Sequence, residues 1–415
     1  MIALFVILSS LIGAINAYDI TVGLTSCPTC TNYYKVTGSD SKPTLQQAAK
    51  DLYTNGGGTI TILPGTYTLN GQVEFFSNTV VKGSGMDVTI FKLVDFATPW
   101  VVGTSSASGL FRSVYKTYKS CHDISFIGFT LDGNKANQNT DANSEYGRYG
   151  VFTEGCKNIL MDSVHIHDFQ GYGFDPHGYK TKSIYGSNLI ITNCISNDNG
   201  WDGFTLDETN GITFTNNVAI HNGRHGINVV TGSTKVVISN CKTQDNGYFY
   251  YSGATGCGIM IQNNQLFGTN TVSVSNTVVS NDKKGGICTN DVFNIVMDKN
   301  TITTPTYCIG LINSHAITIT NNACTSTKKV FISNTNTIDV TESGNTLSWV
   351  IPIKPADPTC ATGIISGKNC CAATCLNCGG AGCSLRDGGS NACCTANILA
   401  AGKMCSTVGP PCLLA

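Results

Sequence analysis

Charge is scarce in this sequence of 415 residues: only 12% of the side chains are Asp, Glu, Lys or Arg, against about 25% in an ordinary soluble domain. The 25 basic and 26 acidic residues leave a formal net charge of -1. No global basic field is available, which argues against recognition of nucleic acid through phosphate neutralisation. Long apolar runs are missing too. After residue 17 none approaches the roughly 20 residues needed to span a bilayer, so neither a membrane nor a nucleic-acid partner is expected. No Asn-X-Ser/Thr triplet occurs, and N-glycosylation is not expected. The Leu or Ala patterns of leucine-rich and helical repeats are absent as well.

Cysteine, by contrast, is abundant. Twenty cysteines sit badly with a reducing cytosol and well with an oxidising compartment, so export is expected. Residues 1–17 agree, with a short apolar run from Ile2 to Ile12 and a small-residue end, Ala14-Ile15-Asn16-Ala17, that reads as a signal peptide cut after Ala17. An uncleaved anchor is the weaker alternative, because the segment is too short to span.

Internal repetition is the richest signal. Short β-branched stretches begin at Ile159, Leu189, Ile212, Val236, Val272, Ile295 and Ile317, in steps of 30, 23, 24, 36, 23 and 22 residues, a solenoid spacing. At their fifth position stand Asn193, Asn216, Asn240, Asn276 and Asn321. Asn suits a turn with left-handed geometry and can bond to the next coil. A second strand in each repeat opens on Gly: Gly173, Gly203, Gly226, Gly258, Gly286 and Gly310. With no helical period between them, these strands predict an all-β chain, a parallel β-helix.

Both ends differ from the repeats. Pro43 to Asn55 has helical spacing, with Leu45, Ala48, Ala49 and Leu52 on one face, and Gly56-Gly57-Gly58 ends it. This helix is expected to cap the open end of the solenoid, where core and strand edges would otherwise be exposed. The expected organisation is a signal peptide (1–17), a β-helix (18–350), a Pro-rich linker (351–359) and a small module (360–415). Ten of the twenty cysteines fall in that last segment. About 55 residues build little core, so disulfides are the expected staple; Cys375 and Cys378 as half a zinc site are disfavoured, because the segment holds no His.

The densest polar constellation lies between residues 165 and 228. Aligning Gly173, Gly203 and Gly226 stacks Tyr172, Asp202 and His225 in one column, Asp175, Thr205 and Asn228 in a second, and His177 and Asp207 in a third. Phe174, Phe204 and Ile227 then point to the core by alternation. A His beside carboxylates and a nearby Tyr on a rigid sheet suit proton transfer. The alternative is a row of ordinary turn and ladder residues on a polar face.

At these residues the chain resembles the mannuronan C5-epimerase (alginate epimerase) family. The likeness runs from Gly56-Gly57-Gly58-Thr59 and Leu131-Asp132-Gly133-Asn134 through Arg224-His225-Gly226-Ile227-Asn228, and its specific core is Tyr172-Gly173-Phe174-Asp175-Pro176-His177. The resemblance implies a right-handed parallel β-helix acting on an anionic polysaccharide, polymannuronate, and inverting C5 within the polymer. It implies His177 as base and Tyr172 as acid, with Asp175 and Asp207 as supporting carboxylates and Arg224 in the substrate groove, where His225, Asp202 and Asn228 are also expected.

Two departures stand out. Bacterial members have Glu after the histidine, where this chain has Gly178, and the family's catalytic Lys has no counterpart near Thr140 to Asn143. Abstraction of a proton beside a carboxylate still requires a cation, and Lys135 and Arg148 are the candidates. No organic cofactor is expected; calcium is raised by the resemblance alone, with no recognisable ligand loop, so the metal stays unknown. A secreted or cell-wall monomer is expected. The rivals are a polyuronate lyase using the same site and a non-catalytic polysaccharide-binding protein.

Overall fold

A computed structural model describes residues 18–97, 108–114, 120–138, 148–179, 183–248, 256–262 and 271–348. The expected signal peptide, linker and cysteine-rich module lie outside the described residues. The stretches of β-branched residues wind into a parallel solenoid whose coils each present short strands to three sides. One coil runs through strand Gly186–Thr192, a corner at Asn193, strand Ile195–Asn197, a turn, and strand Phe204–Asp207 before the next coil begins at Thr209. Each strand pairs in parallel with its equivalent one coil on: Leu189 opposite Ile212, Ile195 opposite Val218, and Phe204 opposite Ile227.

The predicted repeat register is the one observed. Ile159, Leu189, Ile212, Val236, Val272, Ile295 and Ile317 stack as one buried column. Asn193, Asn216, Asn240, Asn276 and Asn321 all take positive φ, between 49° and 58°, a region in which an Asn side chain is tolerated. They also reach between coils: Asn193 Nδ2 donates to Asp162 Oδ1 at 2.9 Å and Asn216 Nδ2 to Asn193 Oδ1 at 3.4 Å.

A second, interior ladder follows the same steps of 23, 24 and 36 residues. At the turn before the third strand, Asn199, Asn222, Asn246 and Asp282 are buried one above another. Each amide donates to the next side chain's oxygen, at 3.0, 3.0 and 2.8 Å. Buried polar groups must be satisfied, and here the ladder does it.

Helix Lys42–Thr54 buries Leu45, Ala48, Ala49 and Leu52 against the first coils, as expected for a cap. It ends at glycines, and Gly57 has a physical reason: its φ is 105°, and a Cβ would lie 2.3 Å from the Asn78 carbonyl oxygen. Among the described residues, disulfides join Cys27–Cys30, Cys121–Cys156, Cys257–Cys288 and Cys308–Cys324, while Cys194 and Cys241 are buried thiols. No described helix is long and apolar enough to cross a membrane.

Candidate active site

The third side of the solenoid carries the ionisable residues. Its strands Ser108–Val114, Arg148–Glu154, Phe174–His177, Phe204–Asp207 and Ile227–Val230 are successive rungs of one parallel sheet. Phe111, Val151, Phe174, Phe204 and Ile227 form the inward column. Alternation turns their neighbours outward. Arg112, Phe152 and Asp175 make one outward row, and Val114, Glu154 and His177 another.

His177 is the centre of the site, with a side chain about one third exposed. Its Nε2 donates to Asp175 Oδ2 at 3.0 Å and lies 3.5 Å from Asp207 Oδ2. Both carboxylates are buried, and Asp175 Oδ1 has no hydrogen-bond partner among the described residues. Burial alone would lower the imidazole's pKa; Asp175, Asp207 and Glu208 outweigh it and raise it to about 10. Burial pushes Asp207 up to about 7, although His177 opposes the shift. Phe152 packs against the imidazole, with ring centroids 5.6 Å apart.

Tyr172 lies at the other end of the same rung, packed against Tyr149 and Trp201. Arg224 donates through Nε and Nη2 to both oxygens of Asp202, at 2.7 and 2.5 Å, and through Nη2 to the Tyr172 hydroxyl at 3.2 Å. Its guanidinium also stands over the Trp201 ring. Burial raises the Tyr172 pKa, the nearby Arg224 charge only partly offsetting it, so the phenol stays protonated. Burial raises the Asp202 pKa, but Arg224 outweighs it and the net shift is downward.

Several expectations need correcting. Asp202, His225 and Asn228, expected to line the groove, are all buried. Asp202 accepts the His225 amide and the Asn228 side-chain amide besides Arg224. His225 Nδ1 accepts the Cys257 amide, and burial lowers its pKa to about 4, so it is neutral. These three residues hold Arg224 and its surroundings. Lys135 is also placed elsewhere: its ammonium donates to the Asp198 carbonyl, in the turn before the third strand. Arg148 opens its strand, but its side chain is outside the described residues, as is most of the loop between Asn134 and Tyr149.

Three charged residues at the site were not foreseen. Glu154 pairs in register with His177 on the preceding rung. Glu208 follows Asp207 and accepts the Gly178 amide through Oε2 at 2.8 Å. Arg112 stands two rungs before Asp175, its Nη1 3.6 Å from Glu74 Oε1 and its buried Nε without a hydrogen-bond partner among the described residues. The sequence signal for Arg112 and Glu154 is the strand register continued from Gly173 toward the N-terminus.

Two clusters among the described residues bring three metal-ligand atoms together: Asp175, His177 and Asp207, and Asp132, His167 and Asp168. Neither fits calcium, which takes six to eight oxygens. In the first an imidazole fills the third place; in the second the Lys92 ammonium already bonds Asp132 at 2.5 Å.

Fold and site together define a right-handed parallel β-helix protein with a histidine–carboxylate cluster and a tyrosine–arginine pair on one sheet. The chain matches the family model of a right handed beta helix region over residues 114–243. Over 232 residues it is 34% identical to mannuronan C5-epimerase AlgE5 of Azotobacter vinelandii, covering 54% of this chain and 21% of that protein. It is 33% identical over 207 residues to alginate lyase 7 of the same organism, covering 48% and 22%. The solved A-module of mannuronan C-5 epimerase AlgE4 of Azotobacter vinelandii shares the fold, with a TM-score of 0.53 and 20% identity, over 75% of this chain and 94% of that one. The resemblance to mannuronan C5-epimerases therefore holds in sequence and in fold, while the chain spans about a fifth of the length of AlgE5 and of alginate lyase 7.

Proposed function

We propose that this chain is a secreted enzyme acting on alginate, a polymannuronate C5-epimerase that turns mannuronate into guluronate residues inside the polymer. The observation that carries the reading is the His177 imidazole, held by Asp175 and Asp207 on the rung that also carries Tyr172. With Nε2 committed to carboxylate, Nδ1 is the nitrogen turned to substrate. It takes the C5 proton, and the electron pair left at C5 spreads into the adjoining carboxylate. Tyr172, kept protonated, delivers a proton from the opposite face, and solvent then resets both groups.

The intermediate carries two negative charges and needs cations. Arg224 supplies one beside Tyr172. Arg112, about 10 Å along the same outward row at 4.8 Å per rung, is suited to a carboxylate on a neighbouring sugar. Calcium enters no step. Secretion is supported by the oxidised cysteine pairs.

A lyase is the second reading, favoured by the similarity to alginate lyase 7. It shares the C5 intermediate and differs in expelling the 4-linked sugar. Proton NMR of polymannuronate incubated with the protein in heavy water decides: guluronate signals with deuterium at C5 support epimerisation. Unsaturated ends absorbing in the ultraviolet replace it with the lyase, and bound polymer with no exchange replaces both with a binding protein.

A further inference from the structure

The rung that carries His177 is held unusually. Its neighbour pair, strands Phe204–Asp207 and Ile227–Val230, is in register over four residues, from Phe204 opposite Ile227 to Asp207 opposite Val230. Between Phe174–His177 and Phe204–Asp207 the register holds at one position only, Phe174 opposite Phe204. Pro176 contributes to this, because it has no N–H to give to the ladder. The ladder is interrupted where the imidazole and the Asp207 carboxylate meet.

Glu208 supplies the acceptor where the ladder stops. It sits just past the strand with a φ of 45° and is buried. The left-handed backbone carries its side chain back toward the preceding rung, where Oε2 accepts the Gly178 N–H at 2.8 Å. On the other side of the same peptide, the His177 carbonyl accepts the Gly155 N–H at 2.7 Å. The peptide after the imidazole is thus fixed by backbone on one side and by a carboxylate on the other.

A side chain at residue 178 would displace its neighbours. A Cβ there would lie 2.9 Å from Glu208 Oε2 and 2.7 Å from Tyr185 Cδ1, closer than such contacts allow. Glycine at 178 and glutamate at 208 therefore form one unit, in which the next coil delivers a carboxylate that a side chain at 178 would exclude.

We infer that Glu208 is a positioning residue of this site: it locks the peptide that follows His177 and adds a carboxylate that favours the imidazolium formed when the base takes its proton. The inference rests on the epimerase reading for its catalytic consequence, and on geometry alone for its effect on His177.

The test uses the full-length protein and the variants Glu208→Gln and Glu208→Ala, with two readouts. The first is the titration of the His177 imidazole by nitrogen–proton NMR, assigned with His177→Ala. The second is turnover on polymannuronate as a function of pH. Glu208→Gln keeps an acceptor for the Gly178 amide and loses the charge. It is expected to titrate His177 about one pH unit lower, to move the acid limb to lower pH by the same amount, and to lower the plateau kcat above that limb by up to about tenfold, because a less basic imidazole is a weaker base, with KM within a factor of two. Glu208→Ala is expected to add faster exchange of the Gly178 amide. A Glu208→Gln protein that titrates and turns over like the wild type overturns the inference, whether or not Glu208→Ala folds. If the wild type shows no turnover, the functional reading falls, while the imidazole titration still decides the role of Glu208.

Discussion

His177 Nε2 lies 3.0 Å from Oδ2 of Asp175, two residues earlier on the same strand, so the carboxylate that orients the imidazole is built into the rung that carries it. Alternation puts both side chains on one face, and no loop has to move to bring them together. Replacing His177 by Ala is expected to reduce deuterium incorporation at C5 by at least about a thousandfold, and Tyr172→Phe by a similar factor, as for loss of a general base or acid. Both variants should keep the wild-type circular dichroism. Retained exchange in either would remove that residue from the mechanism.

The pH profile has a definite sign. A base works when it is unprotonated, and the surrounding carboxylates raise His177 to about 10. Activity should therefore climb with pH well beyond the ordinary histidine value of roughly 6.5. Asp175→Asn removes one of the charges responsible, and its acid limb should move to lower pH. Profiles of kcat/KM between pH 5 and 10 for the two proteins check this; coincident limbs would contradict it.

Arg224 and Asp202 form a pair whose carboxylate is wholly buried. Taking away the cation leaves that charge with the neutral donors from Thr205, His225 and Asn228. Arg224→Ala should thus cost about 3 kcal/mol in urea unfolding, and adding Asp202→Asn should recover part of the loss. Equal stabilities for the single and double variants would show that the pair is not coupled.

The interior ladder predicts a contrast between two asparagines one turn apart. Asn222 gives and takes bonds with both neighbouring coils inside the core, so Asn222→Ala should cost about 3 kcal/mol through groups left unsatisfied. Asn216 is an outer corner residue at φ 58°, where Gly supplies the same geometry, and Asn216→Gly should change stability by less than about 1 kcal/mol. Thermal melting of the two variants tests the difference.

Much of the fold was legible because a solenoid repeats its constraints. The β-branched column from Ile159 to Ile317, the corner asparagines and the cap helix each follow from local pattern, and each is found in the structure. That Asp175 and His177 leave the same face of their strand was legible for the same reason. Depth was not. Alternation turns Asn228 to the face that carries Asp175, where its neighbours cover it, while Asp202 and His225 stand two residues before the inward Phe204 and Ile227, in turns that alternation does not describe. The reach of Lys135 to Asp198, 63 residues away, carries no pattern at all.

The amino-acid sequence by itself determined the coil, its register and the residue types brought to one face, because strand alternation and a near-constant step are properties of the chain taken locally. Only the tertiary structure decided which carboxylates surround the imidazole, that Arg224 is tied to Asp202, and that Glu208 returns to Gly178. Those contacts depend on where the ladder between two rungs is interrupted and how a turn is twisted, and these are set by packing between coils.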